Sequence, residues 1–157
     1  MDNINTGIAA ADRKRMSEDL SRVLADSYTL YLKTHNYHWN VEGPHFKALH
    51  DLFEEQYTDL ATAVDEIAER IRALGHYAPG SYKAFTDLSA VKEETGNPDW
   101  QTMLRRLAED QETLVNTCRG ALKTAGEIDD VSTDDLLNQR MRTHEKNAWM
   151  LRAHLEG

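Results

Sequence analysis

The sequence predicts an all-α fold, a four-helix bundle with one long crossover that carries a short extra helix. Glycine (8 residues) and proline (3 residues) are scarce and lie mostly between long uninterrupted segments. Within those segments the apolar residues recur at alternating steps of three and four, which is the spacing of packed helices. The 157 residues suffice for one hydrophobic core, so we expect a single domain over 1–157.

The first two helices are separated by Gly43-Pro44. We expect the first from about Asp12 to about Asn40, after a short N-terminal tail of residues 1–11. The second is predicted from Pro44 to Leu74, because proline suits a first helical turn and Gly75 suits a C-terminal cap. Its apolar stripe consists of Phe46, Leu49, Phe53, Tyr57, Leu60, Val64, Ile67, Ile71 and Leu74.

The long span from Gly75 to Ser132 predicts the crossover, since it holds a linker as well as the third helix. A short helix is expected near Tyr82–Leu88, and residues 126–130 should form a loop before a fourth helix capped by Ser132 or Thr133. The stripe of the third helix is Trp100, Leu104, Leu107, Leu114, Cys118 and Ala121, and that of the fourth is Leu137, Met141, His144, Ala148, Leu151 and Leu155.

The composition favours a cytoplasmic protein. The first fifteen residues contain no apolar run, which predicts that there is no signal peptide. No segment approaches the roughly 20 apolar residues that a membrane span needs. A single cysteine, Cys118, excludes an internal disulfide and is typical of a reducing compartment.

The net charge of −9 favours metal ions over nucleic acid as partners. Acidic residues outnumber basic ones 27 to 18, and no basic run exceeds residues 13–15. A duplex-binding surface needs lysine and arginine to displace counterions from phosphates. A surface rich in carboxylates instead concentrates cations.

Five potential metal ligands lie in and beside the second helix: His38, His50, Glu54, Asp65 and Glu69. Two pairs are spaced i,i+4, and all four positions fall within an arc of roughly 100° beside the core stripe. His50 and Asp65 are nevertheless about 22 Å apart along a helix that rises 1.5 Å per residue. A second, antiparallel copy across a two-fold axis would bring the histidines of one subunit to the carboxylates of the other. Mixed imidazole and carboxylate ligands suit iron, zinc or manganese.

These residue types also have structural explanations that involve no metal. A single carboxylate on such a helix is more often part of a solvated face, so the prediction of a metal site depends on all five candidate ligands together. We interpret His35 as a packing histidine, His144 as an interior one and Cys118 as a small hydrophobe. A metal site inside one subunit would need Glu-x-x-His on two helices. The sole such spacing, Glu42 to His45, falls at a helix break.

The run from Tyr37 to Pro44, followed by His50, Glu54 and the Asp-x-x-x-Glu pair at 65 and 69, resembles the signature of the Dps miniferritins. The closing Trp149-Met150-Leu151 is also similar, so the likeness covers nearly the whole chain. The resemblance implies a ferritin-like bundle that assembles into cages of twelve subunits. Such cages oxidise Fe(II), usually with hydrogen peroxide, and store the ferric mineral inside.

The resemblance also implies roles for particular residues. The inter-subunit ferroxidase ligands of the family fall on the five residues set out above, with Glu54 at a position that is often Asp. Trp39 matches a residue thought to quench radicals. An acidic cluster around the start of the last helix matches the lining of three-fold pores, with Asp134 and Asp135 as candidates for iron uptake, although helix-end electrostatics also explains these two.

DNA binding is the alternative function, that of a nucleoid-protecting protein with an incidental metal site. Family members that bind DNA commonly use a lysine-rich tail. Residues 1–12 contain neither lysine nor arginine, and the chain ends in His154-Leu155-Glu156-Gly157. The sequence therefore predicts weak DNA binding or none.

Overall fold

The computed structural model describes residues 3–156, and within that range it confirms the all-α prediction, with five helices and no strand. The helices are α1 (Ala10–Asn40), α2 (Phe46–Ala73), α3 (Tyr82–Leu88), α4 (Trp100–Glu127) and α5 (Val131–Ala153). In the bundle, α1 packs against α2 and α4, while α5 packs against α4 and α2. The short α3 lies in the crossover and packs on α1. Residues 1, 2 and 157, which include the start of the predicted tail, lie outside the described residues.

The first two helices begin at positions different from those predicted. Helix α1 starts at Ala10 rather than near Asp12, so it includes the last two residues of the predicted tail. Helix α2 starts at Phe46 rather than Pro44, because residues 43–45 form a turn in which the Phe46 N–H donates to the Gly43 carbonyl at 3.2 Å. In the part of the chain that the structure describes, no helix has both the length and the apolar character required to span a bilayer.

The caps show one confirmed prediction and one wrong one. Gly75 follows α2 with a left-handed φ of +98°, and its N–H donates to the Arg72 carbonyl at 3.0 Å. Ser132 and Thr133 do not cap α5. The cap is Asp130, whose carboxylate accepts from the Thr133 N–H at 3.1 Å.

The core follows the predicted stripes, with three exceptions in α2 and two elsewhere: Trp100 at the start of α4 is half-buried, and Leu155 is half-buried and lies beyond the end of α5. The buried stripe residues of α2 are Leu49, Phe53, Leu60, Ile67, Ile71 and Leu74, and those of α4 and α5 include Leu104, Leu107, Leu114, Cys118, Leu137 and Leu151. Phe46 is exposed, and Tyr57 and Val64 are half-buried. These three side chains lie at the edge of the stripe, on the side where the candidate ligands lie.

A buried carboxylate fastens the crossover to the bundle. Asp26 of α1 is fully buried and accepts hydrogen bonds from the Ser89 hydroxyl at 3.0 Å, the Ala90 N–H at 2.7 Å and the Thr117 hydroxyl at 2.6 Å. A buried carboxylate needs such donors to offset its loss of hydration. The linker after α3 is therefore held against both α1 and α4, a role of Asp26 that no local sequence pattern predicts.

His144 occupies the interior of the bundle, as predicted. It is fully buried, and its Nδ1 lies 2.6 Å from the Gln111 Oε1. Burial and the positive charge of Arg140 lower the pKa of His144 well below its usual range. Arg140 in turn pairs with Asp59 at 2.8 Å. The imidazole is therefore a neutral hydrogen-bonding group within the core.

Candidate metal centre

Two histidines from different helices hold each other in place. The Nδ1 of His38 lies 2.7 Å from the His50 carbonyl, and the Nδ1 of His50 lies 2.7 Å from the His38 carbonyl. The two rings stack with centroids 3.8 Å apart and planes inclined by 16°. A carbonyl oxygen can only accept, so each Nδ1 carries a hydrogen, and in the neutral ring Nε2 keeps its lone pair. A metal-binding histidine usually donates its other ring N–H to a second group, as each Nδ1 does here.

The position of each histidine in its helix explains how these reciprocal hydrogen bonds form. His38 lies in the last turn of α1, where backbone carbonyls lack partners within the helix. The carbonyl of His38 is therefore available to the imidazole of His50. His50 lies in the second turn of α2, and the ring of Phe46 stacks on it with centroids 5.0 Å apart.

The turn between α1 and α2 depends on a glycine. Gly43 has a φ of +117°, and a Cβ at this position would lie 3.0 Å from Cδ1 of Trp100. A side chain there would strain the backbone and press on the indole, which begins α4. The sequence predicts this glycine only as a helix break, but the structure also gives it a part in bringing His38 to His50.

The three candidate carboxylates lie on the exposed side of α2. Glu54 follows His50 by one turn, and Asp65 and Glu69 are one turn apart further along the helix. A hydrogen bond with Asp65, together with its negative charge, raises the pKa of Glu69. Two carboxylates this close are most stable when they share a proton or a cation.

The histidine pair and the Asp65–Glu69 pair do not meet within one chain. Both lie on α2, and the 15 residues from His50 to Asp65 correspond to about 22 Å of helix. Among residues 3–156, no three His, Cys, Asp or Glu side chains are grouped closely enough to hold a metal ion. One subunit therefore presents two separate partial ligand sets, one at each end of α2.

Trp39 and its neighbours form an aromatic wall beside the histidines. Trp39 is 58% exposed and its ring lies 3.9 Å from that of His35. His35 in turn stacks on Tyr57 at 4.2 Å, and Tyr57 lies 5.2 Å from the His38 ring. Burial lowers the pKa of His35, and a positive charge on the neighbouring His38 would lower it further, which agrees with its interpretation as a packing histidine.

The acidic cluster before and at the start of α5 divides into two kinds of carboxylate. Asp130 is 1% exposed and pairs with Arg70 at 2.8 Å, so it is a structural group. Asp135 is exposed and accepts from Gln139 of its own helix, while Asp134 is half-buried and accepts from Asn138. Asp134 and Asp135 therefore keep carboxylate oxygens accessible to a cation.

The comparisons with known proteins agree with this architecture. The family model for the ferritin-like domain matches residues 17–157. An uncharacterized low temperature-induced protein of Nostoc is 42% identical over 159 residues, which cover 100% of this chain and 89% of that protein. DNA protection during starvation protein 2 of Bacillus anthracis is 39% identical over 142 residues, covering 90% and 97% of the two chains. The Dps crystal structure from Vibrio cholerae has a TM-score of 0.93 at 33% identity, covering 99% and 98% of the chains.

The fold is therefore that of a ferritin-like four-helix bundle. Within that class, the chain belongs to the Dps family of miniferritins. The Vibrio protein is described as a member of a broad superfamily of ferritin-like di-iron-carboxylate proteins. Membership in this family fits a role in iron storage and protection.

Proposed function

We propose that this protein detoxifies and stores iron by oxidising Fe(II) at sites shared between two subunits and holding the ferric product inside a cage of twelve. One observation carries the proposal. The reciprocal contacts of the two Nδ1 atoms leave the Nε2 atoms of His38 and His50 available. The Asp65–Glu69 pair begins about 22 Å along α2 from His50. Neither half is a complete ligand set by itself.

A two-fold axis between antiparallel copies of α2 completes both halves at once. His38, His50 and Glu54 of one subunit would then face Asp65 and Glu69 of the second copy, and symmetry would make two equivalent sites. The donor set suits a first-row divalent ion, with two imidazoles and up to three carboxylates. The repulsion between Asp65 and Glu69 supports a cation as their partner, since a positive charge would relieve it.

The reaction consumes both reagents of hydroxyl-radical chemistry. Two Fe(II) ions supply the two electrons that reduce one hydrogen peroxide, with two protons, to two water molecules. The products are two Fe(III) ions, which bind carboxylate and oxide oxygens and form a mineral. A shell of chains with net charge −9 attracts the Fe(II) substrate.

Assembly and iron retention test the proposal together. Twelve chains of 17.9 kDa should elute from size-exclusion chromatography with light scattering near roughly 215 kDa. After Fe(II) and peroxide are added, iron should elute in the same peak. A monomer that oxidises iron would refute the shared site, and a cage that retains no iron would refute storage.

Iron uptake should depend on Asp134 and Asp135. In the Asp134→Asn/Asp135→Asn double variant we expect slower iron uptake by an intact cage, because two accessible carboxylates become neutral amides that still accept hydrogen bonds. The measurement is stopped-flow absorbance of ferric product, with light scattering to confirm assembly. Glu156→Gln, an exposed change elsewhere, is the matched control. Unchanged kinetics would leave Asp134 and Asp135 with only their role at the helix end.

DNA binding is the alternative function, suggested by the names of relatives such as DNA protection during starvation protein 2 of Bacillus anthracis. The charge opposes it, because twelve chains of net charge −9 would carry about −108 before counterions and bound iron. Salt at 0.15 M screens that charge beyond about 8 Å. A basic patch could therefore bind DNA only where the two touch directly.

We expect no retardation of duplex DNA near neutral pH and 0.15 M salt in a gel-shift assay. The physical reason is the net charge of −9 per chain, which opposes the approach of a phosphate backbone whose counterions only basic side chains can release. A shift that weakens as the salt concentration rises would contradict this expectation and would locate the function at a basic patch.

A further inference from the structure

Five polar side chains lie close together in the interior of the bundle, and each is at least nine-tenths buried. We call them the interior polar layer, which consists of Gln56 of α2, Gln111 of α4, and Arg140, His144 and Asn147 of α5. Buried polar atoms normally have hydrogen-bond partners. Five side-chain atoms of the layer have none among residues 3–156: both amide atoms of Gln56, the Gln111 Nε2, the Arg140 Nε and the Asn147 Nδ2.

The pairing of α2 with α5 brings members of the layer to one level. The two helices run antiparallel, and two ion pairs fix their register: Arg70 with Asp130, and Asp59 with Arg140. Gln56 lies one turn before Asp59 on α2, and His144 lies one turn after Arg140 on α5, so Gln56 is level with His144. Asn147 follows His144 by a further turn on the same face of α5. The free amides of Gln56 and Asn147 therefore lie on either side of the imidazole.

A chain of hydrogen bonds fixes two of the free nitrogens as donors. The Arg140 Nη2, which can only donate, lies 3.3 Å from the His144 Nε2, so that nitrogen accepts and the Nδ1 carries the hydrogen. The Nδ1 then donates to the Gln111 Oε1 at 2.6 Å, which leaves the Gln111 Nε2 as a free donor. The Arg140 Nε–H is the second fixed donor, and the amides of Gln56 and Asn147 can each turn an N–H toward a ligand. The layer thus offers up to four free N–H donors.

The guanidinium of Arg140 makes the interior around the layer electropositive. Its partner Asp59 has a side chain that is 40% exposed, so water screens much of the negative charge. Burial and the charge of Arg140 both lower the pKa of His144. Burial raises the pKa of the Cys118 thiol to about 12, and the charge of Arg140 opposes that rise. A buried cation is most stable when an anion lies beside it. The charge and the free donors therefore favour the same kind of ligand.

We propose that the interior polar layer binds one small monovalent anion, a halide such as chloride. The anion accepts from the Arg140 Nε–H and from the amides of Gln56, Gln111 and Asn147. Water would satisfy the same donors, but an anion also neutralises the buried guanidinium. The site is separate from the candidate metal centre, because Gln56 is two residues, or about 200°, from Glu54 around α2. Since only the folded bundle forms the site, its stability should depend on the anion concentration.

Bromide is the probe for the wild-type protein. Crystals grown in sodium gluconate and then soaked in sodium bromide should show one anomalous peak per subunit at the bromine absorption edge. The peak should lie in contact with the Arg140 Nε and the Gln111 Nε2. Bromide at the surface only, with ordered water or no density inside the layer, would overturn the proposal. This experiment needs no variant, so its result does not depend on how a substituted interior folds.

Thermal unfolding at constant protein concentration measures the effect on stability. Chloride at ten times its Kd favours the folded state about elevenfold, so the midpoint should be about 4 °C higher in sodium chloride than in sodium gluconate of equal ionic strength. Gln56→Met/Asn147→Leu removes two of the donors and keeps side chains of similar size, so the difference should be lost. The matched control, Gln139→Met/Asn116→Leu, changes two exposed positions and should keep the difference.

An equal chloride effect in the interior variant and in the wild type would also overturn the proposal, because the anion would then bind outside the layer. Neither measurement involves iron. This inference and the proposed function can therefore fail independently of each other.

Discussion

Variants that lack opposite halves of the shared site should restore activity to each other when they are mixed. His38→Ala/His50→Ala removes the imidazoles, and Asp65→Ala/Glu69→Ala removes the carboxylates at the other end of α2. Each variant alone should assemble yet oxidise Fe(II) poorly, because every site then lacks half of its ligands. The rate of Fe(II) oxidation, followed by absorbance, is the measurement.

The expected recovery follows from symmetry. In a mixed dimer, one site draws all its ligands from the intact halves and the other has lost both halves. Random reassembly makes half the dimers mixed, and each has one native site of two, so cages should recover about a quarter of the wild-type rate. His154→Ala/Glu156→Ala, which removes an exposed histidine and an exposed carboxylate elsewhere, should keep the full rate. Absence of any recovery in mixed cages would refute the shared site.

Asp130→Ala should lower the free energy of unfolding by about 3 kcal/mol. The carboxylate is 1% exposed, accepts from the Arg70 guanidinium at 2.8 Å and caps α5 through the Thr133 N–H. Its removal leaves Arg70 without its buried partner and α5 without its cap. Because the Arg70 side chain is 23% exposed, water can solvate part of its charge. The expected loss of stability is therefore at the lower end of the range for breaking a buried ion pair.

Thermal unfolding at constant protein concentration measures this effect, and the midpoint should fall by about 10 °C for a chain of this size. Asp135→Asn, five residues along and exposed, is the control and should change stability by less than about 0.5 kcal/mol. An unchanged midpoint in Asp130→Ala would show that the ion pair with Arg70 contributes nothing to stability.

Much of the fold could be predicted because helix signals are local. The apolar period, the position of Gly75 and the length of the crossover depend on residues close together in the sequence, and the structure confirms all three. The start of α2 was misplaced because proline is compatible both with a first helical turn and with the turn before it. The cap of α5 was misplaced because Asp130, Ser132 and Thr133 are all residue types that cap helices.

The candidate site was open to prediction only in part. Spacing along α2 placed Glu54, Asp65 and Glu69 outside the core, and the structure places all three on the exposed side. Their roles as ligands stay predictions, as does the placement of the protein in the cytoplasm. The part played by Gly43 was missed, because its close approach to Trp100 joins residues 57 positions apart.

The sequence by itself determined the helices, the separation of two ligand pairs on α2 and the net charge, because each depends on residue type and on distance along the chain. Only the tertiary structure decided which nitrogen of each histidine is free, since that depends on carbonyls contributed by the facing helix. It also decided that Asp130 is a buried partner of Arg70 while its acidic neighbour Asp135 remains accessible. Burial and hydrogen bonding between distant segments set both outcomes, and no local pattern encodes them.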